Sequence, residues 1–219
     1  LMSVHNAANT VNFAIESILN QTYSNLELII MDDCSTDNTY KILKKYEKKD
    51  SRVKLFNNKE NLGLTKSLNI LIDHSNGNFI ARQDADDYSL PMRFEKQIKY
   101  IEKYKIDGCT TKTFLKNSVQ TTPNLSRSLY KKLILLYKNP FIHGTLMVNK
   151  EVLNKIGNYD EKFYYAQDYK LMSDLVNDNK KIKILKDPLY ILNTKNNIST
   201  NKKDEQAYFA KCVQKKLNP

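Results

Sequence analysis

This sequence has few cysteines and no long apolar run. None of its apolar stretches approaches the roughly 20 residues that a membrane-spanning helix requires, and no charged-then-apolar secretory signal opens the chain. The three cysteines, Cys34, Cys109 and Cys212, are widely spaced and form no Cys-x-x-Cys pair, which argues against a metal site built on thiolates. We therefore expect reduced thiols that serve packing, in a cytoplasmic protein.

Basic residues outnumber acidic residues in this sequence. The 35 lysine and arginine residues against 24 aspartate and glutamate residues give a formal net charge of +11, which suits anionic membranes, anionic substrates and nucleic acids. The lysines occur in dispersed doublets such as Lys44-Lys45 and Lys215-Lys216, without the interleaved aromatic residues of a nucleic-acid platform. We expect no nucleic-acid partner. Solvated helix faces and a peripheral contact with an anionic membrane are the alternatives that remain.

Helical and strand patterns alternate in the first half of the chain. Apolar runs predict strands over 26–31, 53–56 and 79–81, and amphipathic periods predict helices over 8–20, 37–49, 64–74 and from Pro91 onward. This order is typical of a mostly parallel, doubly wound, twisted sheet flanked by helices, which is an α/β fold.

The second half is less regular. Its patterns predict helices over 129–137, 152–156 and 167–176, strands over 145–148, 182–185 and 189–192, and a basic amphipathic helix over 204–217. A chain of 219 residues buries one good core. We therefore expect a single domain over 1–200, in which the second half extends the same sheet and covers its carboxyl edge, followed by a C-terminal helix within 201–219.

The most informative stretch is the acidic cluster of Asp84, Asp86 and Asp87, which follows the apolar strand pattern over 79–81. In open parallel sheets, ligands bind at the carboxyl ends of the strands. Three carboxylates within four residues repel one another, and a hard divalent cation, which usually brings a phosphate, offsets that repulsion. The cluster predicts a metal–diphosphate site; the alternative is a solvated acidic turn.

A second acidic pair, Asp32 and Asp33, follows the strand pattern over 26–31. Helix capping needs only one acid, so the pair indicates more than a cap. An acid at the carboxyl end of a strand can accept the imide N–H of a uracil-like base or a ribose hydroxyl, as in dinucleotide folds. This segment predicts a nucleotide-binding edge.

Seven segments in order resemble family 2 glycosyltransferases, inverting enzymes of the GT-A fold that use nucleotide-diphosphate sugars. The segments are SILNQTY at 17–23, ELII at 27–30, DDCSTD at 32–37, NLGL at 61–64, DADD at 84–87, GNYDE at 157–161 and QDY at 167–169. Each is weak alone, but together they cover nearly the whole chain. The resemblance implies a nucleotide-binding half over 1–107 and an acceptor-binding half over 108–200.

On the donor side, the resemblance implies that Asp33 contacts the nucleotide base. It also implies that Asp86 binds Mg²⁺ or Mn²⁺, with Asp84 assisting through the ribose or through water on the metal. The residues expected to line the rest of the nucleotide or diphosphate pocket are His5, Asn61 and Lys66.

On the acceptor side, the resemblance implies that Asp168 is the general base. Because Asp168 opens a predicted helix, the macrodipole is expected to favour its ionised form and lower its basicity; the alternative role is an ordinary N-cap. Gln167 stands where the family usually has Glu, so acceptor affinity is the property we expect to differ. His143 is either a substrate contact or a hydrogen-bonded structural residue.

Two further departures concern the ends of strands. Val4 is followed at once by His5, so either the first strand is unusually short or the sequence lacks residues at this point. Many relatives have a late histidine near the metal, whereas the matching region over 193–197 has none. Weak metal affinity, or a direct contact of Lys195 with the diphosphate, is expected to follow.

The function that the resemblance implies is transfer of a sugar, with inversion, from a nucleotide diphosphate (a UDP-sugar in particular) to a lipid-linked or glycan acceptor in cell-surface polysaccharide or lipopolysaccharide synthesis. One alternative is a catalytically silent sugar-nucleotide-binding module of the same fold. Another is a sugar-nucleotidyltransferase, which would need a Gly-rich loop with Arg and Lys after the first strand, and residues 5–9 contain none of these.

Overall fold

The computed structural model describes residues 1–123, 134–194 and 202–219. Its strands are β1 (Met2–Val4), β2 (Leu28–Asp32), β3 (Val53–Asn57), β4 (Phe79–Ala81), β5 (Tyr88–Ser89), β6 (Gly108–Leu115), β7 (Thr121–Thr122), β8 (Met147–Asn149) and β9 (Ile182–Leu192). Its helices are α1 (Val11–Leu19), α2 (Thr39–Lys49), α3 (Leu64–His74), α4 (Arg93–Tyr104), α5 (Lys150–Lys155), α6 (Gln167–Asn177) and α7 (Lys203–Lys215).

The first sheet is parallel, with β2 between β1 and β3. Successive side chains of β2 point to opposite faces and enter two different cores. Leu28 and Ile30 pack in the core that contains residues of α1, α2 and α4. Ile29 and Met31 pack in the core that contains residues of α3, α6 and α7. Helices therefore cover both faces, which explains why β2 is a continuous apolar run.

Backbone hydrogen bonds of Leu1 join the second sheet to the first. The Leu1 nitrogen donates to the carbonyl oxygen of Ala81 (2.6 Å), and the Leu1 carbonyl accepts from the Gln83 N–H (3.1 Å). From this junction the strand order is β4, β8, β6, β9 and β5, with β7 paired to β6. These two hydrogen bonds place the end of β4 beside the start of β1, while the two sheets remain separate ladders.

The fold is the expected α/β architecture with a curled sheet. Parallel pairing joins β1 to β2, β2 to β3 and β6 to β9, while β4–β8, β6–β8, β5–β9 and β6–β7 are antiparallel. The parallel pairs join more residues than the antiparallel pairs do. The first strand is indeed short, since β1 has three residues.

The sequence analysis does not predict β6, although this strand lies in the middle of the second sheet. Its residues Thr110, Thr111 and Thr113 are fully buried. Polar side chains thus occupy inward positions, so the segment has neither an apolar run nor a clean alternation of apolar and polar residues.

Predicted and observed boundaries differ at several elements; for example, α1 begins at Val11 and β2 begins at Leu28. The strands predicted over 182–185 and 189–192 form one strand, β9, whose pairing with β6 shifts register near Pro188. The strand predicted over 145–148 begins at Met147, because His143–Thr145 forms a 3₁₀ turn. The helix predicted from Pro91 begins at Arg93. Most of the helix predicted over 129–137 lies outside the described residues, as does Lys195.

The C-terminal helix α7 packs on the body of the protein. Cys212 and Val213 of α7 are buried in the core shared with α3 and α6. All three cysteines are unpaired; Cys109 is buried as well, and Cys34 is partly buried. Within residues 1–123, 134–194 and 202–219, no helix combines the length and the apolar character needed to cross a bilayer.

Candidate active site

The carboxyl ends of β1, β2 and β3 meet at one edge of the sheet because the strands run in parallel, with Val4, Asp32 and Asn57 in register. Directly after β1, His5 is exposed, and its Nδ1 lies 2.8 Å from the carbonyl oxygen of Asp33. The structure therefore brings together at this edge His5 and Asp33, two of the residues that the resemblance assigns to the nucleotide.

The carboxylate of Asp33 is already hydrogen-bonded within the protein. Its Oδ1 accepts from Asn58 Nδ2 (2.7 Å) and the Leu62 N–H (2.9 Å), and its Oδ2 accepts from the Gly63 N–H (2.8 Å). The side chain is 3% exposed. A carboxylate offers about four acceptor sites, so three internal bonds leave little capacity for a ligand. In this structure Asp33 holds the loop over 58–63 in place.

That loop leads into α3 and carries two further predicted residues. Asn61 is exposed, and its Oδ1 accepts from the Gly63 N–H (3.1 Å), which forms a local turn. Lys66 is exposed in the first turn of α3. The ring of Tyr164, from the second half of the chain, lies directly against Gly63. Sequence reasoning did not identify Tyr164, because it lies in a loop without a periodic signal.

The acidic cluster lies after β4 and beneath the end of β9. Asp84 accepts a hydrogen bond from Arg82 Nη2 at 2.5 Å. Asp86 accepts from Asn193 Nδ2 at 3.1 Å, and Asp87 accepts from the Asn193 N–H at 2.6 Å. Asn193 lies within residues 193–197, the region that has no late histidine, and it contacts both acids.

Burial and mutual repulsion raise the pKa values of Asp86 and Asp87. Burial raises the pKa of Asp86, and the nearby charge of Asp84 raises it further. Burial and the same charge raise the pKa of Asp87 to about 8. The protein's own hydrogen bonds therefore do not fully compensate the negative charge of the cluster, which is the setting in which a cation binds.

The donor set of the cluster fits a divalent cation that shares its coordination with substrate. Mg²⁺ is commonly held by one or two carboxylates, with phosphate oxygens and water as its other ligands. Asp86 is partly exposed and Asp84 is 34% exposed, so both can reach such an ion. Among the residues that the structure describes, no three His, Cys, Asp or Glu side chains form a complete metal cage.

Two fully buried arginines, Arg82 and Arg93, lie beside the acidic cluster. Arg82 Nη1 also donates to the carbonyl oxygen of Leu1 (3.1 Å). Arg93 donates to Ser89 Oγ (2.6 Å), to the carbonyl oxygen of Gly144 (3.2 Å) and to that of Arg82 (2.5 Å). Burial lowers the pKa of Arg93 to about 10, which leaves it charged at neutral pH. Sequence reasoning missed both roles, since arginine patterns usually indicate exposed faces.

Asp168 lies in the first turn of α6, but it is not the N-cap. The N-cap is Ala166, in a left-handed conformation (φ 51°). Removal from water raises the pKa of Asp168, whereas hydrogen bonds from the Tyr169 N–H and from Asn139 Nδ2 (2.8 Å) oppose that rise. The expected loss of basicity is therefore wrong, because burial outweighs the hydrogen bonds that favour the ionised carboxylate.

The two remaining acceptor-side residues are largely enclosed. His143 Nε2 lies 2.6 Å from the Tyr159 hydroxyl, and the two rings meet edge to face. Burial and the charge of Arg82 lower the pKa of His143 to about 3, so the imidazole is neutral at physiological pH. Gln167, the first residue of α6, is 9% exposed. His143 is thus at least a hydrogen-bonded structural residue.

Comparison with known proteins agrees with these features. The sequence model of the family described as "Glycosyl transferase family 2" matches residues 1–157, well over half of the chain. The putative glycosyltransferase EpsE of Bacillus subtilis is 40% identical over 163 residues, which cover 73% of this chain and 58% of that protein. The chain therefore spans little more than half the length of this relative.

A second relative and a solved structure complete the comparison. The UDP-Glc:alpha-D-GlcNAc-diphosphoundecaprenol beta-1,3-glucosyltransferase WfgD of Escherichia coli is 32% identical over 190 residues, which cover 82% of this chain and 69% of that protein. The mannosyltransferase PcManGT of Pyrobaculum calidifontis, solved with GDP-Man and Mn²⁺, superimposes with a TM-score of 0.75 at 17% identity, covering 100% of this chain and 64% of that one. This structural likeness confirms the GT-A fold.

Proposed function

Because the chain belongs to glycosyl transferase family 2, we propose that it transfers a sugar from a nucleotide diphosphate to an acceptor hydroxyl, with inversion at the anomeric carbon. The preferred donor is a UDP-sugar, and the acceptor is lipid-linked or a glycan in cell-surface polysaccharide synthesis. WfgD, which is similar over most of this chain, is named for a UDP-Glc donor and a diphosphoundecaprenol-linked acceptor.

One observation carries this proposal: the charge of Asp84 acts on acids of both halves of the chain. It contributes to the raised pKa of Asp86 after β4 and to the raised pKa of Asp168 on α6. Charges act on each other strongly only at short range in a protein. The acids assigned to the donor therefore lie near the acid assigned to the acceptor. The geometry supports this, since a Cβ atom placed on Gly144, next to His143, would lie 2.7 Å from Asp84 Oδ2.

On the donor side, we assign Asp86 and Asp84 to Mg²⁺ or Mn²⁺, which when bound would neutralise the diphosphate leaving group. Arg82 holds the Asp84 carboxylate in a fixed position through its 2.5 Å hydrogen bond. Asp33 positions the loop over 58–63, and His5, Asn61 and Lys66 offer polar groups to the nucleotide from the rim.

On the acceptor side, Asp168 removes the proton of the attacking hydroxyl. The acceptor oxygen forms a bond to the anomeric carbon while the bond from that carbon to the phosphate oxygen breaks, and the proton remains on Asp168. A single displacement of this kind inverts the anomeric centre. The raised pKa of Asp168 suits this role, since a base is most effective when its pKa lies closer to the working pH. Gln167 and His143 border the acceptor.

The test is calorimetric titration with UDP, GDP, CDP and TDP, with and without Mn²⁺. We expect Mn²⁺-dependent binding of UDP that Asp86→Ala abolishes. The matched control is Asp73→Ala, an exposed aspartate on α3, which should bind as wild type does. Asp168→Asn should bind UDP normally and lose about 10²–10⁴-fold in turnover.

The same experiment separates the rival functions. Nucleotide binding without any transfer or donor hydrolysis would favour the silent module, and sugar-1-phosphate dependent consumption of a nucleoside triphosphate would favour the nucleotidyltransferase. We also propose that residues 1–107 bind the donor, that residues 108–200 bind the acceptor, and that the enzyme works at the cytoplasmic face of the membrane.

A further inference from the structure

A surface with apolar and basic residues lies next to the acceptor side of the candidate site. Leu136 is 51% exposed and Tyr137 is 77% exposed, although both are large and apolar or amphipathic. Lys138 follows them directly and is exposed as well. Neighbouring large apolar side chains that face water mark interaction sites more often than single ones do.

The end of α7 completes this surface. Gln214 Nε2 donates to the carbonyl oxygen of Tyr137 at 2.8 Å, which fixes α7 against the segment. Lys215 and Lys216 follow Gln214 and are exposed. We call the five residues Leu136, Tyr137, Lys138, Lys215 and Lys216 the Tyr137 patch.

The charge of the Tyr137 patch has one sign. Neither segment that forms it, 134–142 or 206–219, contains an aspartate or glutamate. The acids of α7, Asp204 and Glu205, lie in its first turn. A helix rises 1.5 Å per residue, so Glu205 is about 15 Å from Lys215 along the axis, beyond the Debye length at physiological salt. Three lysines therefore present a positive field beside exposed apolar groups.

The Tyr137 patch is also connected to the candidate base. The Tyr169 hydroxyl donates to the carbonyl oxygen of Leu135, and Asn139 Nδ2 donates to Asp168 Oδ2 at 2.8 Å. Asn139 follows Leu136 by three residues, so their Cα atoms are at most about 11 Å apart. A molecule that contacts Leu136 is therefore three residues along the chain from Asn139, whose side chain binds Asp168 directly.

We propose that the Tyr137 patch binds the surface of an anionic lipid bilayer and so brings Asp168 to the head group of a lipid-linked acceptor. The second half of this statement rests on the proposed function. Tyrosine settles at the level of lipid head groups, and lysines near the surface are attracted by anionic lipid. Leu136 adds apolar area that enters the boundary between head groups and acyl chains.

Vesicle co-sedimentation tests the proposal. The full chain is mixed with vesicles of phosphatidylcholine alone, or of phosphatidylcholine with phosphatidylglycerol, at low and at high salt. Each lysine contributes about fivefold to partition onto an anionic surface, so Lys215→Gln with Lys216→Gln should weaken binding roughly 25-fold. Leu136→Ser with Tyr137→Ser should also weaken binding, and at both salt concentrations.

Matched controls come from the other end of the chain. Lys48→Gln with Lys49→Gln neutralises an exposed doublet on α2, and Phe13→Ser removes a side chain that is 65% exposed on α1. Both should bind vesicles as wild type does. Equal loss in these controls would mean diffuse charge and would overturn the proposal. Absence of vesicle binding by the wild type would also overturn the proposal. The same holds if the patch variants change only the sedimentation mass of the free protein, because that result would indicate that the patch binds a second copy or a protein partner.

A second measurement separates this proposal from the proposed function. Titration with UDP and Mn²⁺, without vesicles, should give wild-type affinity for every patch variant. If UDP binds but no variant alters vesicle binding, the patch assignment fails while the proposed function stands. If vesicles bind through the patch but no nucleotide binds, the proposed function fails while the assignment of the patch to the membrane stands.

Discussion

Substitution of Gly63 by alanine tests how the second half of the chain shapes the nucleotide edge. Gly63 has φ 83° and ψ 167°, a backbone conformation open essentially to glycine alone. A Cβ atom at this position would lie 2.5 Å from Cε2 of Tyr164. The Gly63 N–H is also a donor to Asp33 Oδ2 at 2.8 Å. Alanine therefore strains the backbone, displaces a ring and disturbs the loop that Asp33 holds.

The loss of stability expected for Gly63→Ala can be worked out from these contacts. A residue held in a sparsely populated conformation costs about 1–3 kcal/mol. Tyr164 is 50% exposed, so its ring can swing toward water and lose about 1 kcal/mol of packing. We expect Gly63→Ala to lower the free energy of unfolding by roughly 2–4 kcal/mol. At about 2–4 °C per kcal/mol for a chain of this size, Tm should fall by roughly 10 °C.

Urea unfolding followed by circular dichroism measures this loss, and two variants separate its causes. Gly157 has φ 87°, and no atom lies within 4 Å of the position that a Cβ atom would take there, so Gly157→Ala reports strain without a clash. Gly63→Ala placed in a Tyr164→Ala background should lose the ring contribution and keep the strain. UDP titration should weaken for Gly63→Ala but not for Gly157→Ala. The reasoning is refuted if both glycine variants lose the same stability and bind UDP equally.

Three further outcomes are expected. Arg93→Met leaves buried acceptors such as Ser89 Oγ without their donor, so urea unfolding should show a loss of about 3–5 kcal/mol; a loss below about 1 kcal/mol would contradict the role given to this network. Asn139→Ala removes a hydrogen bond that favours ionised Asp168, so the acidic limb of the kcat/KM profile should move to higher pH, and a shift to lower pH would be inconsistent with this geometry. Asp87 has a folded pKa of about 8, above its ordinary 3.8, so folding takes up a proton between these values; Tm should therefore fall as pH rises across that window, and Asp87→Asn should flatten the slope.

The candidate ligand-binding edge of the sheet could be predicted from the sequence because acids follow apolar runs there. Asp33 and the cluster at Asp84 to Asp87 are found in this way, and the structure places them after strands of the two joined sheets. How the Asp33 carboxylate is used could not be predicted. Its partners Asn58, Leu62 and Gly63 come from a loop without periodicity, and only the folded chain brings them to it.

Buried polar groups account for most of what the sequence did not reveal. Arg82 and Arg93 resemble surface residues in composition, and their burial depends on carbonyl oxygens that are distant in sequence. The threonines of β6 hide a central strand for the same reason. The basicity of Asp168 is a third case, since a helix start predicts a lowered pKa while the surrounding side chains exclude water and raise it.

The pairing of β5 with β9 has a consequence for the order in which the protein can mature. Tyr88 and Ser89 pair with Ile191 and Tyr190, and the Asp87 carboxylate accepts from the N–H of a residue 106 positions later. Contacts this distant in sequence form late, because a long loop must close first. On the ribosome, the emerging chain would carry its acid loop unsupported until β9 has been synthesised. A chain that ends before β9 is thus expected to lack the hydrogen bonds that hold the Asp87 carboxylate in place.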